Sequence, residues 1–132
     1  MNVINPTNTM HNTDSTEDRI VQSRAAYVHL LKDAVQRLVK TLSALDQVER
    51  VSLFGSYARG REDLFTDLDV LVVMRTEEPF IQRVKRLYGL LALPVDMDLV
   101  CYTPQEFEEM KDRPFLKRIL AEEVLLYEKN PT

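Results

Sequence analysis

Apolar residues Val28, Leu31, Val35, Leu38, Leu42 and Leu45 recur at alternating steps of three and four, the spacing that lines one face of a helix. Ser15 followed by Asp18 offers a start for it. The same spacing suits a coiled-coil seam, but about two and a half heptads are fewer than a coiled coil sustains, so the stripe is expected to pack on a sheet. Val51-Ser52-Leu53-Phe54 is a short apolar run ending at Gly55. It reads as a buried strand opening into a turn, with a helical turn from Ser56.

Asp67 to Met74 is rich in β-branched residues and bounded by polar clusters, the mark of an inner strand. From Glu78 to Leu91, Phe80, Val84, Leu87 and Leu91 form a second helical stripe, with Pro79 suited to its first turn. Val95 to Tyr102 alternates, placing Val95, Met97, Leu99 and Cys101 on one face and Asp96 and Asp98 on the other. Thr103-Pro104-Gln105-Glu106 matches a capping box, with Thr103 as N-cap. Asp112-Arg113-Pro114 interrupts that helix, and Phe115, Ile119, Leu120 and Val124 predict a last helix ending near Tyr127. The expected order is helix, strand, strand, helix, strand, helix, helix. This is an α+β fold, a mixed β-sheet with helices packed mainly on one face.

Composition narrows the setting. At 132 residues and 45% apolar content the chain suits a single domain. The opening MNVINPTNTMHNTDST has neither the basic nor the apolar region of a signal peptide. Residues 1–15 are therefore expected as a disordered polar tail and 16–132 as one domain. A single cysteine, Cys101, forms no internal disulfide, and no segment reaches the roughly 18 apolar residues of a membrane span, so a cytoplasmic protein without membrane contact is expected. A net charge of −4 argues against extensive nucleic-acid binding, which needs a basic surface.

The candidate chemistry lies in Gly55-Ser56, ten intervening residues, then Asp67-Leu68-Asp69, with Asp98 in a later strand. Residues two apart in a strand project to the same side. Asp67 and Asp69 then repel unless a cation or shared proton offsets them, and hard oxygen ligands at this spacing suit Mg²⁺. If the strand of Asp98 pairs beside that of Asp69, a third carboxylate reaches the same place, to bind a second ion or serve as base. Asp96 shares its face and stays open as a contributor. Gly55 and Ser56 supply a close backbone approach and amides that attract phosphate, and Arg59 is a candidate for offsetting triphosphate charge.

Other readings fail. His11, His29 and one cysteine make no zinc set. Gly55 to Gly60 has the glycine spacing of a Walker loop, but Arg61-Glu62 follows where lysine and a hydroxyl are required. Phe54, Tyr57, Phe65 and Tyr88 are expected as packing residues rather than base-stacking platforms, and Cys101 as buried and inert.

GSYARGREDLFTDLDVLVV resembles the GS-x10-D-x-D signature of the DNA polymerase β-like nucleotidyltransferase superfamily, in its minimal nucleotidyltransferase (MNT) branch paired with HEPN-domain toxins. VDMDLVCYTPQEFEEM resembles that branch's third-acid strand, which ranks Asp98 ahead of Asp96, and PFLKRILAEEVLLYE resembles its ending. The resemblance covers most of residues 50–128. It implies the polymerase β-like fold, two Mg²⁺ ions held by Asp67, Asp69 and Asp98, and nucleotide phosphates held by Gly55 and Ser56. It further implies transfer of AMP from ATP to a tyrosine of a HEPN ribonuclease, silencing the toxin within a hetero-oligomer. Larger relatives carry a further domain for the acceptor, so a partner-borne acceptor is expected here. Two alternatives are a non-catalytic antitoxin acting by contact alone and transfer to a small cation such as an aminoglycoside.

Overall fold

The computed structural model describes residues 4–130, with side chains from Thr16 onward. The expected disordered tail, residues 1–15, therefore lies outside the residues whose side chains are described. Helix α1, Ile4–Ser43, begins earlier than Ser15. Its buried stripe is Leu31, Ala34, Leu38 and Leu42, flanked by half-buried Val35 and Leu45. This is the face the three-four spacing predicts, and it packs on a sheet. No helix among the described residues is long and apolar enough to cross a membrane.

Four strands, β1 (Val48–Phe54), β2 (Leu68–Met74), β3 (Met97–Tyr102) and β4 (Val124–Glu128), stand in the order β3-β2-β1-β4. β1 runs antiparallel to β2 and β4, whereas β2 and β3 are parallel. A parallel pair needs a crossover, and α3 (Phe80–Leu91) is the helix within it. The sheet is thus mixed, as expected. The helical turn α2 (Gly55–Ala58), α4 (Pro104–Met110) and α5 (Pro114–Glu122) complete the chain.

Period-two alternation sorts the strand residues between two faces. Leu68, Val70, Val72, Met74, Leu99 and Cys101 join α1 and α3 in the main core. Leu71 instead packs with Leu116 and Ile119 of α5, with Val100, Tyr102 and Phe107 around them. Most of the core lies on the first face, while the second is only partly covered, by the short helices α4 and α5. Cys101 is fully buried, and burial pushes its thiol up to about 12, consistent with an inert packing residue.

Three local expectations need correction. The last helix stops at Glu122, and Val124 to Glu128 is β4 rather than helix. Val124-Leu125-Leu126-Tyr127 is β-prone, and pairing with β1 satisfies its backbone on one side. Pro79 is the N-cap of α3, not part of its first turn. Phe65 is no packing residue, being 81% exposed. The capping box does form: Thr103 Oγ1 accepts from Glu106 N, and Glu106 Oε1 accepts from Thr103 N. The same Glu106 receives two hydrogen bonds from buried Arg83 of α3, which ties α4 to the far side of the crossover.

Candidate active site

Asp69 and Asp98 are register partners across the parallel β2–β3 pair. Both have the parity of Leu71 and Val100, so their carboxylates lie on the face only partly covered by helices. The sheet pairing anticipated for Asp98 is therefore present. Asp67 stands one residue before β2, half-buried, and Asp98 is exposed. Burial, then the negative charges of Asp98 and Asp67, raise the carboxyl of Asp69 above its usual range, and Arg59 partly offsets them. Two neighbouring acids thus act on Asp69. A cation at that point removes the larger part of the like-charge cost.

Gly55 forms the opposite wall. Its φ is +73°, and a Cβ built there would lie 2.0 Å from Asp69 Oδ2. A side chain there would have to displace that carboxylate and would be strained at this φ, so glycine lets the β1–α2 corner sit against it. Ser56 follows in α2, and its carbonyl accepts from Arg61 N at 3.0 Å, closing the glycine-serine corner into a compact loop. Arg59 is exposed and paired with Glu122 of α5 at 3.1 Å. It reaches Asp69 electrostatically, but its guanidinium already has a partner. Asp96 stands one residue before β3, as Asp67 stands one residue before β2, and its charge, with those of Asp67 and Asp63, acts on Tyr27 of α1.

Two positioning tyrosines escaped the sequence reading. Tyr88 of α3 donates to Met97 O at 2.6 Å and accepts from Leu99 N at 3.2 Å. It brackets Asp98 by taking up backbone groups on the free edge of β3. Tyr27 donates to Thr66 O at 2.8 Å, anchoring the loop that delivers Asp67. Neither phenol announces itself in the sequence, because each bonds backbone groups of a later element rather than of its own helix. Tyr88→Phe is expected to cost about 1 kcal/mol, the usual worth of such hydrogen bonds. Faster amide exchange at Leu99 would report it, and unchanged exchange would count against the bracket.

Among the described residues no three acidic, His or Cys side chains are gathered closely enough to cage an ion unaided. The donor set fits a hard cation such as Mg²⁺, which takes its remaining ligands from water and phosphate oxygens. A cleft of about 730 Å³ lies at the other end of the sheet, between Arg50, Arg75, Phe107 and Lys129. It contains none of the candidate residues. Its cations are already neutralised, Arg50 by Glu123 and Glu128, Arg75 by Asp46 and Glu49, and Lys129 by Asp46.

Comparison with known proteins bears on the fold and the family. Among curated proteins none matches the chain. A presumptive nucleotidyltransferase from Sulfolobus solfataricus superimposes with a TM-score of 0.51 at 21% identity, over 83% of this chain and 87% of that one. A toxin–antitoxin structure with AMP-PNP gives 0.50 at 19% identity, over 74% and 73%. The complex of a tri-AMPylated Shewanella oneidensis HEPN toxin with its MNT antitoxin gives 0.46 at 18%, over 74% and 72%. At these identities the likeness is one of fold. The sequence profile described as "Nucleotidyltransferase domain" matches residues 35–131, which span β1, the glycine-serine corner and all three acids, and the chain belongs to the nucleotidyltransferase domain family.

Proposed function

We propose that this protein is an Mg²⁺-dependent adenylyltransferase that moves AMP from ATP to a tyrosine hydroxyl of a HEPN ribonuclease, and so acts as its antitoxin. The observation that carries the reading is the register pairing of Asp69 with Asp98, beside a glycine whose missing side chain is the space Asp69 occupies. Asp67, Asp69 and Asp98 are the residues that would hold Mg²⁺, two ions by the family resemblance. Bound there, it would neutralise charge on the attacking and leaving oxygens of an in-line phosphoryl transfer. Gly55 and the backbone of Ser56 give the polyphosphate a close approach, and Arg59 adds positive charge at the same corner once Glu122 releases it.

Asp98, the exposed member of the triad, is suited to accept the proton of the acceptor hydroxyl. ATP as donor and a toxin as acceptor rest on the sequence resemblance, with the AMP-PNP complex as a fold-level parallel. A heteromeric complex and a cytoplasmic setting go with that assignment. Incubation with Mg²⁺ and each NTP, with and without the product of the adjacent gene, tests it. The expected result is a mass gain of one or more AMP units on the partner. Complex formation indifferent to nucleotide, and unchanged by Asp67→Asn, would instead establish a contact-only antitoxin.

A further inference from the structure

The loop before Asp67 is built as a rigid tip. Asp63 Oδ1 accepts from Phe65 N at 2.8 Å, Thr66 Oγ1 accepts from Asp63 N at 2.9 Å, and Arg61 Nε donates to Asp63 Oδ2 at 2.7 Å. Thr66 is fully buried, and Tyr27 holds its carbonyl from α1. On this frame Phe65 is 81% exposed and its neighbour Leu64 is 45% exposed. A large aromatic left in water on a mobile loop is unremarked on many surfaces. Here the bonds among Tyr27, Arg61, Asp63 and Thr66, and from its own backbone N–H, fix it, two positions from a candidate metal ligand.

We propose that Leu64 and Phe65 are the docking contact for a protein acceptor, which seats them in an apolar pocket with a basic rim while its hydroxyl reaches Asp98. This rests on the proposed function above and specifies how its acceptor is recognised. Small molecules are bound in concave sites that surround them, and a ring projecting into solvent has no second wall with which to sandwich a nucleobase. A projecting ring suits a pocket on a larger body, where aromatic anchors dominate affinity. The charge around the tip selects the partner's chemistry. Glu62, Asp63, Asp67 and Asp96 neighbour the tip in sequence or share the field at Tyr27, while the nearby cations Arg61 and Arg59 are engaged by Asp63 and Glu122, which leaves the acids in excess. Such a rim repels nucleic acid and attracts lysine and arginine.

The test is calorimetric titration of the adjacent gene's product into the intact wild-type chain and into a Leu64→Ser/Phe65→Ser variant, with Mg²⁺-ATP affinity measured alongside. Both side chains face solvent, and near-wild-type melting confirms that the variant folds. The expected result is a complex weakened by about thirtyfold or more, the loss of one hot-spot anchor, with ATP affinity unchanged and AMP transfer to the partner reduced through KM. An unchanged complex, or no complex with the wild type, overturns the proposal. So does a fall in ATP affinity with the complex intact, which makes the ring a nucleobase platform, or a change only in self-association, which makes it a contact between copies. If the tip variant weakens the complex although the wild type transfers no nucleotide, the docking surface stands and the adenylyltransferase reading falls.

Discussion

Replacing Asp69 by asparagine is expected to cut nucleotide transfer by orders of magnitude while leaving the protein at least as stable as the wild type at neutral pH. The first half follows from position. Asp69 is the carboxylate on which Asp67, Asp98 and Arg59 all act, and asparagine keeps its shape while removing the charge. Losing one preorganised electrostatic group typically lowers turnover by about 10²–10³-fold. The second half follows from linkage. The carboxyl of Asp69 is raised in the folded protein, first by burial and then by Asp98 and Asp67, so the folded state binds its proton more tightly than the unfolded state does. Below the ordinary aspartate range both states are protonated and there is no penalty. As pH rises through the raised value, the folded state loses stability relative to the unfolded one.

Asparagine escapes that loss, so the Asp69→Asn variant should match the wild type in acid and equal or exceed it at pH 7. Added Mg²⁺ should reverse the order by raising the wild-type melting temperature through preferential binding to the folded state, with a smaller rise in the variant. Melting curves across pH, with and without Mg²⁺, read all of this. An Asp69→Asn protein that transfers nucleotide at close to the wild-type rate, or that melts well below the wild type at neutral pH in chelator, would sink the assignment.

The candidate site was legible because its parts are periodic. Acids at alternate positions before an apolar strand, and another among alternating residues of a later strand, fix the sheet face once the strands pair, and β2 and β3 do pair in that register. The helix stripes, the capping box and the glycine-serine corner were legible for the same reason, each being a local pattern with a local cause. The misreadings had non-local causes. Val124 to Tyr127 carries apolar residues that serve a helix as well as a strand, and the free antiparallel flank of β1 decided the outcome. Residue type alone places Phe65 among packing residues, whereas the Asp63 turn holds it outward. Tyr27 and Tyr88 act through phenol oxygens on backbone groups 39 residues away and 9 and 11 residues away, respectively, which no spacing rule anticipates.

Gly55→Ala should damage both folding and activity, and the pattern of damage identifies the cause. Gly55 has φ +73°, a left-handed conformation that costs a residue with a Cβ about 1 kcal/mol. Alanine would also set its methyl 2.0 Å from Oδ2, 2.9 Å from Cγ and 3.2 Å from Cβ of Asp69. The carboxylate cannot evade this by rotating its far end alone, because its own Cβ is already crowded. Either Asp69 leaves the position it shares with Asp98 or the β1–α2 corner lifts from β2, at a cost of about 1–3 kcal/mol typical of overpacking. Transfer should then fall about as far as in Asp69→Asn. A double-mutant cycle separates the two contributions. In an Asp69→Ala background the obstructing Oδ2 and Cγ are gone, and Gly55→Ala should cost little more than the backbone strain. If chemical denaturation gives the same loss in both backgrounds, the contact between glycine and carboxylate is not what requires Gly55, and the corner serves the backbone turn alone.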